Sequence, residues 1–178
     1  HLVSGYVNPL GVEGDKLVTF KIGDANSNNV STNVPGLSFT GTKCLEEIDA
    51  RNASSIRSIS GLSDCTRLRS LKLIGTNITS VDIPSGSKIE TLSLPSTIQQ
   101  MSLKKLRHLS SITSDGYQNI TTLLVEDCPG INALALSRAI MDGSNSFRTV
   151  RIIFVDTYND STGRALQTIS EFSKGDYN

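Results

Sequence analysis

Residues 89–103 read IETLSLPSTIQQMSL. The apolar members, Ile89, Leu92, Leu94, Ile98, Met101 and Leu103, keep neither the strict alternation of a half-buried strand nor a helical rhythm. Two close apolar positions, a polar gap, then the same again: this spacing decides the fold. Pairs of apolar residues two apart recur at Leu71/Leu73, Val81/Ile83, Leu92/Leu94, Met101/Leu103, Leu123/Val125 and Leu134/Leu136. Ile112 and Ser114 take the place between Leu103 and Leu123, and Ile48 and Ala50 take it upstream. Most pairs have a further apolar residue three positions before them, as with Leu68, Ile78, Ile89, Ile98, Leu109 and Ile120.

The half-unit is therefore L-x-x-L-x-L plus a polar turn, and every second pair falls at 48, 71, 92, 112 and 134. A period of about 20–23 residues with that line is the mark of leucine-rich-repeat-like coils. Its clearest copies are LRSLKLIGTNITSV (68–81), IETLSLPSTIQQM (89–101) and ITTLLVEDCPGI (120–131). Each short strand points two side chains inward before the chain turns. One coil cannot bury its apolar edge alone, and stacking closes the core. The expected fold is an α/β or β-rich solenoid. IETLSLPSTIQQMSL then becomes a strand, a turn at Pro95-Ser96-Thr97, and a strand on the other side of the coil. The turn positions Cys65, Thr76, Thr97 and Cys128 are expected to satisfy backbone groups of stacked turns, which gives both cysteines a structural role.

The expected division has three parts. Residues 1–43, rich in Gly, Asn and Ser, form a β-rich cap or connection with a strand at 16–22. Residues 44–137 form the solenoid, and residues 138–178 an α-β-α cap. After the repeat lines, 133–141 reads as a short helix stopped by Asp142-Gly143, and TVRIIFV (149–155) as a strand buried on both faces. Ser161 or Thr162 would then cap a second helix with Ala165, Leu166, Ile169 and Phe172 as its apolar stripe. The opening HLVSGYVNPL, without an initiator Met, suggests a piece of a longer protein.

The totals narrow the function. Lys and Arg number 17, as do Asp and Glu, so the net charge is zero and the basic excess of a nucleic-acid binder is missing. No apolar run is long enough to insert in a membrane. Three cysteines without CxxC spacing fit neither a disulfide framework nor a zinc site. No GxSxG, P-loop, HExxH or GxGxxG line occurs, so neither an enzyme nor a cofactor is expected. His108 is expected at an outward, solvated position. Asp24 to Asn29 begins like an EF-hand loop, but Asn29 stands where Gly is needed and Pro35 where Glu is, so it reads as an Asx-rich turn. N-x-S/T sequons at Asn29, Asn52, Asn77, Asn119 and Asn159 are few enough to arise by chance in a chain so rich in Ser and Thr. If the coils stack, one side presents Asp49, Lys72, Ser93 and Thr113, and the other Ser60, Asp82, Ser102 and Leu124. With aromatics at 5% and no Trp, neither side has the large anchors of a tight binding face.

Four lines carry a more specific resemblance: LPSTI (94–98), DGYQNITTL (115–123), EDCPGI (126–131) and VRIIFVD (150–156). Together they resemble repeat regions of large proteins from gut bacteriophages and the prophages of their hosts, over roughly residues 65–156. The resemblance implies a non-catalytic, tail-associated structural or host-contacting module of the virion. Its partners would be other virion or surface proteins in a symmetric assembly. It transfers no catalytic residues. The alternative is a leucine-rich-repeat adhesin on a bacterial cell surface.

Overall fold

A computed structural model describes residues 10–22, 33–143, 149–158 and 165–173. The elements in chain order are β1 (Leu10–Gly11), β2 (Thr19–Lys21), β3 (Gly36–Ser38), β4 (Glu47–Asp49), β5 (Ser58–Ser60), β6 (Ser70–Lys72) and β7 (Thr91–Leu94). They continue with β8 (Gln100–Lys104), β9 (Ser111–Ser114), β10 (Thr122–Glu126), α1 (Ala133–Gly143), β11 (Thr149–Tyr158) and β12 (Ala165–Ser173). Successive coils place their strands alternately on two sides, so strands that adjoin in space are about one coil apart in sequence. One side is a five-stranded parallel sheet in the order β2-β4-β6-β7-β9. The other consists of β1-β3-β5 and a separate sheet β12-β11-β10-β8. The fold is a parallel β-solenoid.

Its register explains the sequence pattern. In the five-stranded sheet, Phe20, Ile48, Leu71, Leu92 and Ile112 are successive partners. Leu10 pairs Leu37 and Leu37 pairs Ile59 on the other side, and further along it Met101 pairs Leu123. The eight repeat positions Leu71, Leu73, Leu92, Leu94, Met101, Leu103, Leu123 and Val125 all lie within the core, none more than 5% exposed. Each such side chain withdrawn from water stabilises the fold by about 1.5–3 kcal/mol. The third residue back, such as Leu68, Ile78, Ile89 or Leu109, is also buried and fills the corner of the coil. Stacked this way, the apolar residues merge into one continuous cluster.

Several expectations are corrected. Val81 and Ile83 are buried but form no strand; the ladder pairing of their segment is the single bridge between Ser80 and Gln100, beside backbone bonds from Asn77 N to Ile56 O and from Gln99 N to Thr79 O. Pro84, directly after Ile83, has no N–H to donate and pushes the chain out of the ladder. The pair Leu134/Leu136 does not continue the strands either. It lies in α1, where Ala133, Leu136 and Ile140 face inward and Leu134 is exposed. The C-terminal cap is not α-β-α. Residues 165–173, expected as a second helix, form β12, antiparallel to β11 from Thr149↔Ser173 to Tyr158↔Ala165. The edge of β11 offers backbone partners, and Thr168, Ile169 and Phe172 suit a strand, so pairing overrides the helical spacing. β11 itself is central in its sheet, between β10 and β12. The strands of the segment before residue 44 extend the two sides of the same solenoid. The loop 24–29 lies outside the described residues.

Candidate functional site

The outer face of the five-stranded sheet is the most regular surface of the molecule. Because side chains alternate along each strand, the residues flanking each buried apolar position form two outward rows. One row runs Thr19, Glu47, Ser70, Thr91, Ser111, and the other Lys21, Asp49, Lys72, Ser93, Thr113. Neighbouring strands stand about 4.8 Å apart, so five of them carry each row over about 19 Å. The first coils supply the charges and the later ones only short hydroxyls. The Thr91 and Ser70 hydroxyls are 3.1 Å apart, and the Ser93 hydroxyl accepts the Leu73 N–H at 3.3 Å. A shallow depression of about 290 Å3 lies among Arg51, Lys72, Ile74, Thr91, Ser93 and Thr113.

At the charged end the structure departs from the expected outward row. Asp49 belongs to that row but is only 2% exposed. Arg51 reaches back over it, donating from Nε to Oδ1 at 2.9 Å and from Nη2 to Oδ2 at 2.6 Å, and the Arg51 backbone N–H adds a third bond at 3.2 Å. Burial alone would push the Asp49 carboxyl up. The hydrogen bonds from Arg51, together with the charges of Arg51 and Lys72, outweigh it and hold the group below the usual carboxylate value. Beside it, Lys72 Nζ meets Glu47 Oε1 at 2.6 Å, across one coil step. The cations on this side of the depression are thus matched by carboxylates, and what it offers a partner is a flat, nearly neutral array of hydroxyls. Sequence periodicity had placed Asp49 on this face; the cover supplied by Arg51 had no signal in the repeat.

The turn positions divide in their contacts. The Thr97 hydroxyl donates to Ile78 O of the preceding coil at 2.5 Å, and the Cys128 sulfur lies 3.5 Å from Leu103 O of the preceding coil and 3.3 Å from Glu126 O in its own turn. Thr76 instead closes its own turn through Leu73 O at 2.8 Å. The Cys65 sulfur lies 3.2 Å from the Thr42 hydroxyl one coil earlier and 3.7 Å from Gly61 O in its own turn. Burial pushes both the Cys65 and the Cys128 thiols up, which disfavours the reactive thiolate. Two of the sequon asparagines join this ladder: Asn77 Nδ2 donates to Ser54 O at 2.6 Å, and Asn119 Nδ2 to Ser96 O at 2.9 Å. Their equivalence, one turn position two coils apart, could have been found by aligning the two N-I-T lines against the repeat.

On the other side Ser60, Asp82 and Ser102 are exposed, while Leu124 is half-buried. His108 is exposed in a turn, and Tyr117 is half-buried beside α1, where burial pushes its hydroxyl up. Among the described residues, no three His, Cys, Asp or Glu side chains gather as a metal site, and no helix is long and apolar enough to cross a membrane. Comparison with protein-family models, with curated proteins and with solved structures finds no match for this chain.

Proposed function

We propose that this chain is a non-catalytic structural and interaction module, a tail-associated part of a bacteriophage virion protein. Its five-stranded sheet packs against a neighbouring protein of a symmetric assembly. The observation that carries the reading is the outer face of that sheet: short hydroxyls in register over successive strands, with its charges at one end paired internally. Such a face has little side-chain entropy to lose on docking, and apart from Lys21 at its first strand its cations are already matched by carboxylates, which suits fixed packing repeated over many copies. The L-x-x-L-x-L line and the Thr and Cys turn positions support reading the coils as a leucine-rich-repeat variant with strands on both flanks. The resemblance of residues 65–156 to phage repeat regions supports the virion setting.

Light scattering after size exclusion tests the reading. A discrete trimer, hexamer or dodecamer is expected, since virion parts are built by symmetry. The double variant Ser93→Arg, Thr113→Arg should dissociate it while leaving the far-ultraviolet circular dichroism unchanged. A monomer that sediments with bacterial cells would replace this reading by the surface adhesin. An assembly indifferent to the double variant would remove the sheet face from the interface.

A further inference from the structure

The column of turns that follows the second side of the solenoid is tied together at nearly every step. Gly41 N donates to Asp64 Oδ2 at 2.8 Å, Gly86 N to Lys104 O at 3.1 Å, and Lys105 N to Glu126 O at 2.8 Å. One step is different. Among the described residues, no hydrogen bond joins the turn 61–67 to the turn 83–88. This is the step at which the strand ladder is interrupted, and there a depression of about 430 Å3 opens between the two turns. It is lined by Arg67 and Lys88, by Ser63, Thr66 and Ser85, and by Cys65 at its base.

We propose that this gap binds the phosphate or sulfate ester of a small saccharide. Arg67 and Lys88 come from opposite walls, both are exposed, and neither is ion-paired among the described residues. Two neighbouring carboxylates are engaged elsewhere, Asp64 accepting the Gly41 N–H and Glu90 facing Arg69 at 3.4 Å, and Asp82 is not among the lining residues. Two unmatched cations across a gap recognise an oxyanion, the arginine through its planar fork and the lysine as a point charge. The hydroxyls of Ser63, Thr66 and Ser85 make no hydrogen bond among the described residues, which leaves both donors and acceptors for sugar hydroxyls. The volume falls within the range of small-molecule sites and leaves room for a sugar beside the oxyanion. This site stands on the turns and does not depend on the docking role of the sheet face.

The test is titration of the full chain with glucose 6-phosphate, inorganic phosphate and glucose at constant ionic strength, followed by amide chemical shifts. Glucose 6-phosphate should move the signals of 63–67 and 84–88 and bind at least threefold tighter than phosphate, with glucose inert. Arg67→Gln with Lys88→Gln should weaken that binding at least tenfold, while Lys43→Gln, an exposed lysine outside the gap, leaves it unchanged. Both changed residues are exposed, so the variant is expected to fold. Equal affinity for phosphate and its ester would overturn the saccharide as ligand. Binding that survives the double variant, or shifts no larger than those caused by chloride, would overturn the site.

Discussion

Asp49 shows how one side chain turns a surface row into part of the fold. Since folding lowers its carboxyl pKa, its contribution is complete above the unfolded value of about 3.9 and is lost as pH falls through the lower folded value. Asp49→Asn should therefore cost about 1–3 kcal/mol at pH 7, with the difference from the parent shrinking below about pH 4. Urea midpoints at pH 7 and pH 3 measure both quantities, and an equal difference at the two would refute the ion-pair account. Gly75 is a second such residue. Its φ is +81°, and a Cβ there would stand 2.8 Å from Asn52 Cα and 2.9 Å from Asn52 N of the preceding coil. Gly75→Ala should destabilise by about 2 kcal/mol or more, from the left-handed backbone and the contact with a neighbour that is itself main chain. Such details escape a sequence reading because the repeat records which residues face inward. It does not record which polar side chain folds back over another, or where two coils nearly touch.

At the scale of elements, two apolar residues two apart marked the strands β6, β7, β8 and β10, but the same spacing at Leu134/Leu136 falls in α1. The spacing failed at Val81/Ile83, where Pro84 removes a donor, although both side chains still reach the core. It failed again at β12, because apolar residues at 165, 166, 169 and 172 satisfy a helical stripe while the decisive partner, the edge of β11, lies in another segment. The helix α1 was legible through the run 133–141 and its stop at Asp142-Gly143, while its cap came from the structure. Asn132 caps it, its Oδ1 accepting the Ala135 N–H at 2.9 Å, and the Leu136 N–H bonds to Asn132 O at 3.0 Å. Asn132→Ala should therefore cost about 0.5–2 kcal/mol. Hydrogen exchange should show faster exchange confined to 133–143; a uniform change over the strands would mean that the cap is not local. Of the candidate docking face one row, Asp49, Lys72, Ser93 and Thr113, was legible from the alternation; the row of Glu47, Ser70, Thr91 and Ser111 came with the strand register.

For the whole molecule, the single apolar cluster means that a cavity in one coil is felt by its neighbours on either side. Leu92 lies between Leu71 and Ile112 and is 1% exposed, so Leu92→Ala should destabilise by about 2–5 kcal/mol. In urea the transition should move to lower concentration with an unchanged slope. Two separate transitions would show that the coils do not unfold as one unit. The two flanks of the solenoid are nonetheless unequal. One is a five-stranded ladder without a missing strand, and the other is divided between β5 and the segment carrying Ser80. Treated as a beam, the molecule has a tension member along one side only. A load that stretches the five-stranded side must break a full ladder of backbone bonds, whereas at the seam the divided side is held by fewer, such as Asn77 N to Ile56 O. The rod therefore bends most easily in one plane and toward one side, away from its seam, so its elasticity has a direction.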